Sequence, residues 1–328
     1  MEEESTSVES KAEIAERRKK VAGWYDQYML VQEMIIDADL IGSLKRGKQW
    51  IENFRSETVW QLAGDVSGKS VLDIGCQYGL FSFYLLEKGA RVTAVDISER
   101  WVEKCSEEAA AKHPDKDVRF LVADAQDLPF EDGSFDVVVC TEVIEHVDFP
   151  GKVIGEIYRV LAPNGVLVLG TPNTSSYYVL LYKILKELLP MKTIRWVLGK
   201  VSSGEEKDLY EKLRDQLPPD KQYEFDVERK KLSEMGQELG ISSPNEAGID
   251  EHIREFSSVE LENLLDFAGF DVEKKTGFAF FPTYFFLEPR LKFRERFVPV
   301  KDKSWWRYHS APQMYLRAVK RKRPIFLD

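Results

Sequence analysis

The segment over residues 70–82 constrains the fold of this chain more than any other stretch. It runs Ser-Val-Leu-Asp-Ile-Gly-Cys-Gln-Tyr-Gly-Leu-Phe-Ser. The apolar run predicts a buried strand, and the two glycines, Gly75 and Gly79, predict a tight turn directly after it. A glycine-rich turn lets the backbone approach a ligand closely, although glycine also serves ordinary strand-to-helix turns.

The residues that follow give this turn its context. A helix-like stretch covers 80–88, Gly89 ends it, and an apolar strand over 91–95 runs into Asp96. This order predicts one βαβ unit with an acid at the tip of its second strand. Because such an acid can accept hydrogen bonds from both hydroxyls of a ribose, the sequence predicts a nucleoside ligand.

The spacing of the turn separates two kinds of nucleoside site. The chain has Asp73-x-Gly75-x-Gln77-x-Gly79, not the G-x-G-x-x-G that places a pyrophosphate on a helix N-terminus. An acid two residues ahead of the first glycine suits an ammonium group better than a phosphate. Here the chain resembles the class I S-adenosylmethionine-dependent methyltransferases, whose first motif is an acid followed by Gly-x-Gly-x-Gly; Gln77 replaces the middle glycine.

The resemblance continues in the order of that family and covers roughly residues 65–173 and 250–280. Its landmarks are strands at 118–123, 135–140 and 166–170, a helix at 150–161, and a late helix and strand at 256–268 and 270–275. The resemblance implies an α/β, Rossmann-like class I methyltransferase fold: a mostly parallel seven-stranded sheet with helices on both faces, plus a helical insertion.

Four regions are expected along the chain. Residues 1–64 form an N-terminal helical cover segment, and 65–173 form the cofactor-binding core. Residues 174–250 form a helical substrate or lid insertion. Residues 251–328 form the C-terminal part of the core with a basic, aromatic tail.

The resemblance implies S-adenosylmethionine as the cofactor and assigns residues to it. Asp73 and Gly75 are expected to hold the methionine portion, Asp96 the ribose, and Asp124 with Ala125 the adenine. The complete expected cofactor set is Asp73, Gly75, Cys76, Gly79, Asp96, Ile97, Asp124, Ala125 and Thr141.

A second constellation follows the fourth strand, at Glu142-Val-Ile-Glu145-His146. If a helix turn begins there, the three polar side chains share one face by their i, i+3 and i+4 spacing. Two carboxylates and an imidazole suit proton abstraction or a hard divalent cation such as Mg²⁺. We predict His146 and Glu145 as the catalytic, acceptor-facing residues.

The same cluster resembles two metal-using branches of the family, the ubiquinone-pathway O-methyltransferases and the small-RNA 2′-O-methyltransferases. Other members carry it without metal. The sequence therefore leaves open an Mg²⁺ site made of Glu142, Glu145, His146 and His252.

The region after the fifth strand offers two interpretations. Residues 177–201 carry a wide apolar stripe with flanking Lys and Arg, typical of an interfacial helix pair on a membrane surface or of a lid packed on the domain. Residues 204–240 are strongly charged and broken at Pro218-Pro219, which predicts a solvated outer helical pair. Ahead of the core, Tyr25 is a candidate gate of the pocket.

The C-terminal segment is basic and aromatic. From 290 to 328 it has 12 Lys or Arg and 3 Asp or Glu, so its charge is 12 − 3 = +9. It suits nucleic acid or an anionic membrane surface. Alternatively, residues 313–319 are the closing strand of the sheet and 320–323 a solubilising end.

Composition narrows the function. The 328 residues include 43% hydrophobic and 31% charged residues, without a run of 18 apolar ones, so we expect a soluble enzyme that does not span a membrane. Cys76, Cys105 and Cys140 lack metal-ligand spacing, and we expect a reducing, cytoplasmic compartment. The net charge of −10 argues against a broad phosphate footprint and makes nucleic acid a disfavoured partner.

The sequence thus predicts methyl transfer to a small hydrophobic acceptor, with oxygen the favoured acceptor atom, by in-line displacement. The alternatives are an RNA 2′-O-methyltransferase-like enzyme and a catalytically silent nucleoside-binding protein. The sequence does not predict the oligomeric state.

Overall fold

A computed structural model describes residues 11–37, 42–174, 214–215, 217–239, 254, 256–280, 297–300 and 313–321 of this chain. In this part of the chain a single eight-stranded sheet forms the centre, with the strand order β3-β2-β1-β4-β5-β8-β6-β7. Its strands are β1 (Ser70–Ile74), β2 (Arg91–Asp96), β3 (Val118–Val122), β4 (Phe135–Thr141), β5 (Leu161–Pro172), β6 (Phe270–Phe280), β7 (Phe297–Val300) and β8 (Gln313–Lys320).

Seven helices accompany the sheet within the described residues. They are α1 (Lys11–Asp37), α2 (Gly42–Ala63), α3 (Leu80–Glu87), α4 (Glu99–Lys112), α5 (Pro150–Val160), α6 (Pro219–Leu239) and α7 (Ser258–Phe267).

The pairing directions confirm the expected fold class. Strands β3, β2, β1, β4 and β5 are parallel to one another, whereas β8 and β6 continue the sheet antiparallel. The seven expected strands are present. An eighth, the short β7, extends the sheet because it pairs antiparallel with the end of β6.

Two apolar layers hold helices on both faces of the sheet. On one face α2, α3 and α4 cover residues such as Val71, Val92 and Val137. On the other face α5 and α7 cover Leu72 and Val138. Neighbouring residues of one strand point to opposite faces, so strands covered on both sides are apolar at nearly every position, as the sequence of β4 illustrates.

A third apolar cluster joins α1 to α6, far apart in the sequence. Trp24 of α1 is fully buried against Phe225 and Leu232 of α6, and its Nε1 donates to the Leu232 carbonyl at 3.2 Å. The prediction of a solvated outer pair over 204–240 is therefore wrong for α6, because the apolar side of this charged helix packs on α1. The predicted break at Pro218-Pro219 is confirmed, since α6 begins at Pro219.

The described part of the tail serves the sheet. Strand β8 pairs with β5 and β6, which confirms the closing strand. Lys320 Nζ donates to the Tyr158 and Leu161 carbonyls at 2.7 Å each, and Arg321 pairs with Glu273. Lys320 and Arg321, predicted as part of a solubilising end, instead tie β8 to its neighbours.

Several expectations fall outside the described residues: the apolar stripe over 177–201, His252, and most of the tail, including residues 322–328. Among the residues that are described, no helix has both the length and the apolar character needed to cross a membrane.

Candidate active site

A cavity of about 440 Å³ opens at the carboxyl ends of β1, β2 and β4. This is the edge where ligands bind in parallel α/β sheets, since the strand order reverses there. Helices α1 and α2 complete the walls. Of the nine expected cofactor residues, seven line the cavity: Gly75, Cys76, Asp96, Ile97, Asp124, Ala125 and Thr141.

The turn after β1 requires glycine at position 75. Gly75 has φ +73°, and its N–H donates to the Val95 carbonyl at 2.8 Å. A Cβ atom at this position would lie 2.3 Å from Val143 Cγ2. The absence of a side chain thus leaves room for the backbone turn against the rim of the cavity.

Gln77, the departure from the family motif, adopts the backbone conformation that favours glycine, with φ +44°. Its N–H donates to Asp96 Oδ2 at 2.9 Å, and the Ser98 N–H donates to Asp96 Oδ1 at 3.0 Å. These two bonds fix the carboxylate at the tip of β2. Burial raises the pKa of Asp96, and the two amide donors oppose that shift.

The end of β3 meets α1 through an ion pair. Arg18 Nε lies 2.7 Å from Asp124 Oδ2, and Arg17 Nη2 lies 2.9 Å from Asp148 Oδ1. All four side chains line the cavity. Helix α1 therefore contacts the cavity wall both at the end of β3 and after β4. Neither arginine was identified from the sequence, because no motif includes them.

The residue after β4 has an unusual backbone. Glu142 has φ +56°, and its N–H donates to the Gly170 carbonyl at 2.9 Å. Its Oε1 accepts a short hydrogen bond from Gln313 Nε2 of β8. Sparsely populated backbone conformations of this kind concentrate at functional sites.

The expected helical face for the Glu-x-x-Glu-His cluster does not form. Only a 3₁₀ turn, Ile144–His146, follows β4, so the three side chains do not lie in one row. Glu142 and His146 line the cavity, whereas Glu145 does not. Glu145 is 1% exposed and accepts from Thr171 Oγ1 at 2.9 Å, so it lies behind the cavity wall.

Glu145 nevertheless approaches His146 from behind. Its Oε1 lies 4.0 Å from His146 Nε2 and has no hydrogen-bond partner among the described residues. Burial and the nearby Glu142 carboxylate raise the pKa of Glu145 well above its ordinary value. On the cavity side, the Tyr25 ring of α1 contacts His146 edge-on, with 6.4 Å between ring centroids.

Arg55 of α2 is a cavity residue that sequence reasoning missed. Its Nε donates to Tyr315 Oη at 3.1 Å. Burial lowers its pKa, but attraction to Tyr315 and Glu142 outweighs burial and leaves the pKa raised. Arg55 is thus a permanent cation in the cavity wall, and its Nη groups form no hydrogen bond within the described part of the chain.

Asp73 and Gly79 do not line the cavity. Asp73 is 1% exposed and accepts from Ser82 Oγ at 2.5 Å, so its carboxyl group lies beneath the turn. Burial raises its pKa to about 7. Gly79 caps α3 with φ +78°, and a Cβ atom there would lie 2.5 Å from Phe83 Cε2. Both residues shape the turn from behind.

The metal hypothesis gains no support from the part of the chain that the structure describes. No group of three or more His, Cys, Asp or Glu side chains within it is arranged to hold a metal ion. Glu145 does not line the cavity, and His252 lies outside the described residues.

The similarity of this chain to known proteins includes the region that contains the turn after β1. Residues 72–169 match the family model described as a methyltransferase domain, which confirms the resemblance inferred from the sequence. A ubiquinone biosynthesis O-methyltransferase of Psychrobacter cryohalolentis is 35% identical over 114 residues, 33% of this chain and 42% of that protein. One from Caulobacter is 37% identical over 131 residues, 40% and 50% of the two chains.

The chain thus spans about half the length of the curated relatives it matches. Among solved structures, a magnesium protoporphyrin IX methyltransferase of Synechocystis with bound S-adenosylhomocysteine has a TM-score of 0.47 and 16% identity, covering 90% of this chain and 94% of that one.

Proposed function

We propose that this chain transfers a methyl group from S-adenosylmethionine to a small acceptor, since residues 72–169 match the methyltransferase domain model. The observation that carries the proposal is the cradle formed by Gly75 and Asp96. A side chain at Gly75 would meet Val143, and two backbone amides hold the Asp96 carboxylate at the cavity wall. A nucleoside with ribose hydroxyls fits this combination.

The charged residues of the cavity fit the remaining parts of this molecule. Arg55, whose Nη groups form no hydrogen bond with the described residues, provides the cation that an amino-acid carboxylate needs. Asp124 lies at the end of β3 beside Ala125 and provides an acceptor for an amino group of the base. Asp73, which the sequence assigned to the ammonium group, is better explained as a support of the turn, because Ser82 binds its buried carboxyl group.

The acceptor would lie beside Glu142 and His146, which face the cavity together. S-adenosylmethionine supplies a methyl group on a positively charged sulfur, which is already a good leaving group. The protein's contribution is then positioning, exclusion of water and removal of the acceptor proton. His146 would accept that proton as the acceptor oxygen forms its bond to the methyl carbon and the carbon–sulfur bond breaks.

Glu145 would act through His146 as a positioning residue. Its carboxyl group is held by Thr171 at 2.9 Å and stands 4.0 Å from the imidazole. A small closure on binding would bring the two groups into hydrogen-bond distance. The second carboxylate, Glu142, stays close to the acceptor because Gln313 holds its side chain.

The identity of the acceptor is proposed at the level of its class. The apolar residues at this end of the cavity, such as Val21, Val143 and Val147, favour a small hydrophobic molecule with a hydroxyl group. The curated relatives named as ubiquinone biosynthesis O-methyltransferases make phenols and catechols the first compounds to test.

The test is a transfer assay with radiolabelled S-adenosylmethionine and parallel panels of catechols, amines and RNA. We expect a labelled methyl ether, and a loss of kcat of roughly 100-fold or more in His146→Gln. Transfer of the labelled methyl group to RNA, without transfer to the catechols, would favour the nucleic-acid alternative instead. Equal turnover of wild type and His146→Gln would exclude His146 as the proton acceptor.

A further inference from the structure

Two residues of β8, Gln313 and Tyr315, hold charged side chains of the cavity wall. Gln313 Nε2 donates a short hydrogen bond to Glu142 Oε1, and Tyr315 Oη accepts from Arg55 Nε at 3.1 Å. Glu142 and Arg55 line the cavity, whereas the two β8 residues lie behind its wall. Strand β8 therefore acts on the cavity through one anion and one cation.

The spacing of Gln313 and Tyr315 sets the distance between the groups that they hold. The two residues are two positions apart on one strand, so their side chains point to the same face of the sheet with the Cα atoms about 7 Å apart. The Glu142 carboxylate and the Arg55 guanidinium are thereby held side by side at one end of the cavity. The attraction of Glu142, which contributes to the raised pKa of Arg55, agrees with this placement.

The close packing of Tyr315 on β5 fixes this arrangement. Tyr315 is fully buried and pairs with Gly170, where a Cβ atom would lie 2.7 Å from Cε1 of the tyrosine ring. The Gly170 carbonyl also accepts the Glu142 N–H at 2.9 Å. A single residue of β5 thus leaves room for the ring that holds the cation and also binds the backbone of the anion.

We propose that Gln313 and Tyr315 are positioning residues that make the cavity specific for a zwitterionic ligand. Held by them, Glu142 binds the ammonium group and Arg55 the carboxylate of the amino-acid part of the cofactor, an assignment that rests on the proposed function. An α-amino acid carries both charges on one carbon atom, so its recognition requires an anion and a cation side by side. A carboxylate that accepts one bond from Gln313 can accept others, and Arg55 has Nη donors that no described residue uses.

Glu142 fills a role that the buried Asp73 does not. Asp73 does not line the cavity, and Ser82 Oγ binds its carboxyl group at 2.5 Å. Glu142 reaches the cavity from a left-handed backbone conformation, φ +56°, of the kind that concentrates at functional sites. A Glu142 carboxylate bound to an ammonium group does not take up the proton of the acceptor, which leaves that role to His146.

The test measures, by calorimetry with the full chain, four ligands: S-adenosylhomocysteine, its decarboxylated analogue, its deaminated analogue, and 5′-methylthioadenosine, which lacks both charged groups. We expect Glu142→Gln to bind S-adenosylhomocysteine at least about 10-fold more weakly, but the deaminated analogue at least as tightly as wild type does. Arg55→Met should lose affinity for S-adenosylhomocysteine and the deaminated analogue, but not for the decarboxylated one. Gln313→Leu should reproduce the pattern of Glu142→Gln, and Tyr315→Phe that of Arg55→Met, each to a smaller extent.

The matched control is Met314→Leu, which lies between the two β8 residues but packs in the apolar layer on the opposite face; it should bind all four ligands as wild type does. Every folded variant should bind 5′-methylthioadenosine equally. If Gln313→Leu weakened all four ligands to the same extent, its role would be structural only and the proposal would be overturned. Wild type that binds none of the four would refute the proposed function, whereas equal affinity for all four would refute only the zwitterion specificity.

Discussion

At the scale of single residues, Asp96 is the carboxylate that we propose to bind the ribose of S-adenosylmethionine. The Gln77 and Ser98 amides fix its two oxygens at 2.9 and 3.0 Å. We expect Asp96→Asn to bind S-adenosylmethionine at least about 10-fold more weakly, because an amide cannot accept with both atoms and charge-assisted bonds are worth roughly 1.5–3 kcal/mol. Calorimetry measures this change.

The matched control for Asp96 is Asp136→Asn, since Asp136 also accepts an amide hydrogen bond, from Ser70 at 2.9 Å. Asp136 lies near the amino end of β4, at the edge of the sheet opposite the cavity, so Asp136→Asn should keep wild-type affinity. Equal affinities of both variants and wild type would contradict the assignment of Asp96.

Gly75 gives a prediction about packing. Gly75→Ala places a Cβ 2.3 Å from Val143 Cγ2 at φ +73°, whereas Gly68→Ala has φ +69° with nothing within 4 Å. Backbone strain at this positive φ should lower the free energy of unfolding of both variants by roughly 1–2 kcal/mol. The contact with Val143 should lower that of Gly75→Ala by about 1–3 kcal/mol more. Denaturant unfolding measures both.

Adding Val143→Ala to Gly75→Ala removes the clashing methyl group. The double variant should recover most of the contact cost but none of the backbone cost. If the two glycine variants were equally stable, the close approach of Val143 to the turn would be wrong.

Asp73 gives a prediction about pH. Burial raises its pKa from 3.8 to about 7, so in this range the folded protein binds more protons than the unfolded chain. The free energy of unfolding therefore falls as the pH rises from about 4 to about 7, by at most about 1.4 kcal/mol per pH unit. Asp73→Asn should lose this dependence.

Unfolding in urea at both ends of that pH window, for wild type, Asp73→Asn and the exposed-carboxylate control Asp136→Asn, measures the Asp73 contribution. The control should follow wild type. An Asp73→Asn variant with the wild-type dependence would show that Asp73 is ionised throughout.

The sequence identified residues of the cavity wall where a local motif contains them. Gly75, Asp96 and Asp124 lie at the ends of β1, β2 and β3 and line the cavity, because parallel strands end at one edge of the sheet. It did not identify Arg55, Arg17 and Arg18, because these side chains reach the cavity from α2 and α1, whose sequences carry no motif. It placed Glu145 in the cavity because the spacing assumed a helix, whereas a 3₁₀ turn forms.

At the scale of elements, the packing of α1 on α6 connects a helix that follows β5 in the sequence to the cavity. Helix α1 supplies Arg17, Arg18 and Tyr25 to the cavity wall, and α6 buries Phe225 against it. The sequence predicted strands and helices of the core well, since their periodicity is local. It missed this pair because the partner of the apolar side of α6 lies about two hundred residues away, as the 208-residue separation of Trp24 and Leu232 illustrates.

We expect Phe225→Ala to loosen α1. Truncating this fully buried ring should lower the opening free energy of α1 by about 3 kcal/mol, and S-adenosylmethionine should bind more weakly because α1 completes the cavity. Hydrogen exchange of the α1 amides measures the opening. Tyr223→Ala, on the same helix but 77% exposed, should stay within about 0.5 kcal/mol of wild type. Equal exchange in both variants would contradict the pairing.

At the scale of the whole molecule, the parallel half of the sheet carries the cavity to which we assign the nucleoside, and α1 and α2 line it from a distant part of the chain. The described basic residues of the C-terminal segment, including Arg317, whose Nη1 donates to the Leu62 and Ala63 carbonyls at 2.6 and 3.0 Å, hold the fold together. Three described cations of this segment, Arg317, Lys320 and Arg321, thus have partners within the fold.

The most direct test of the central claim is a calorimetric titration of the full chain with S-adenosylmethionine and with S-adenosylhomocysteine, each with and without Mg²⁺. We predict that both nucleosides bind at one site, that Mg²⁺ leaves the affinity unchanged, and that Asp96→Asn binds at least about 10-fold more weakly. Binding of neither nucleoside by folded protein would contradict the assignment of this cavity to a methyl donor.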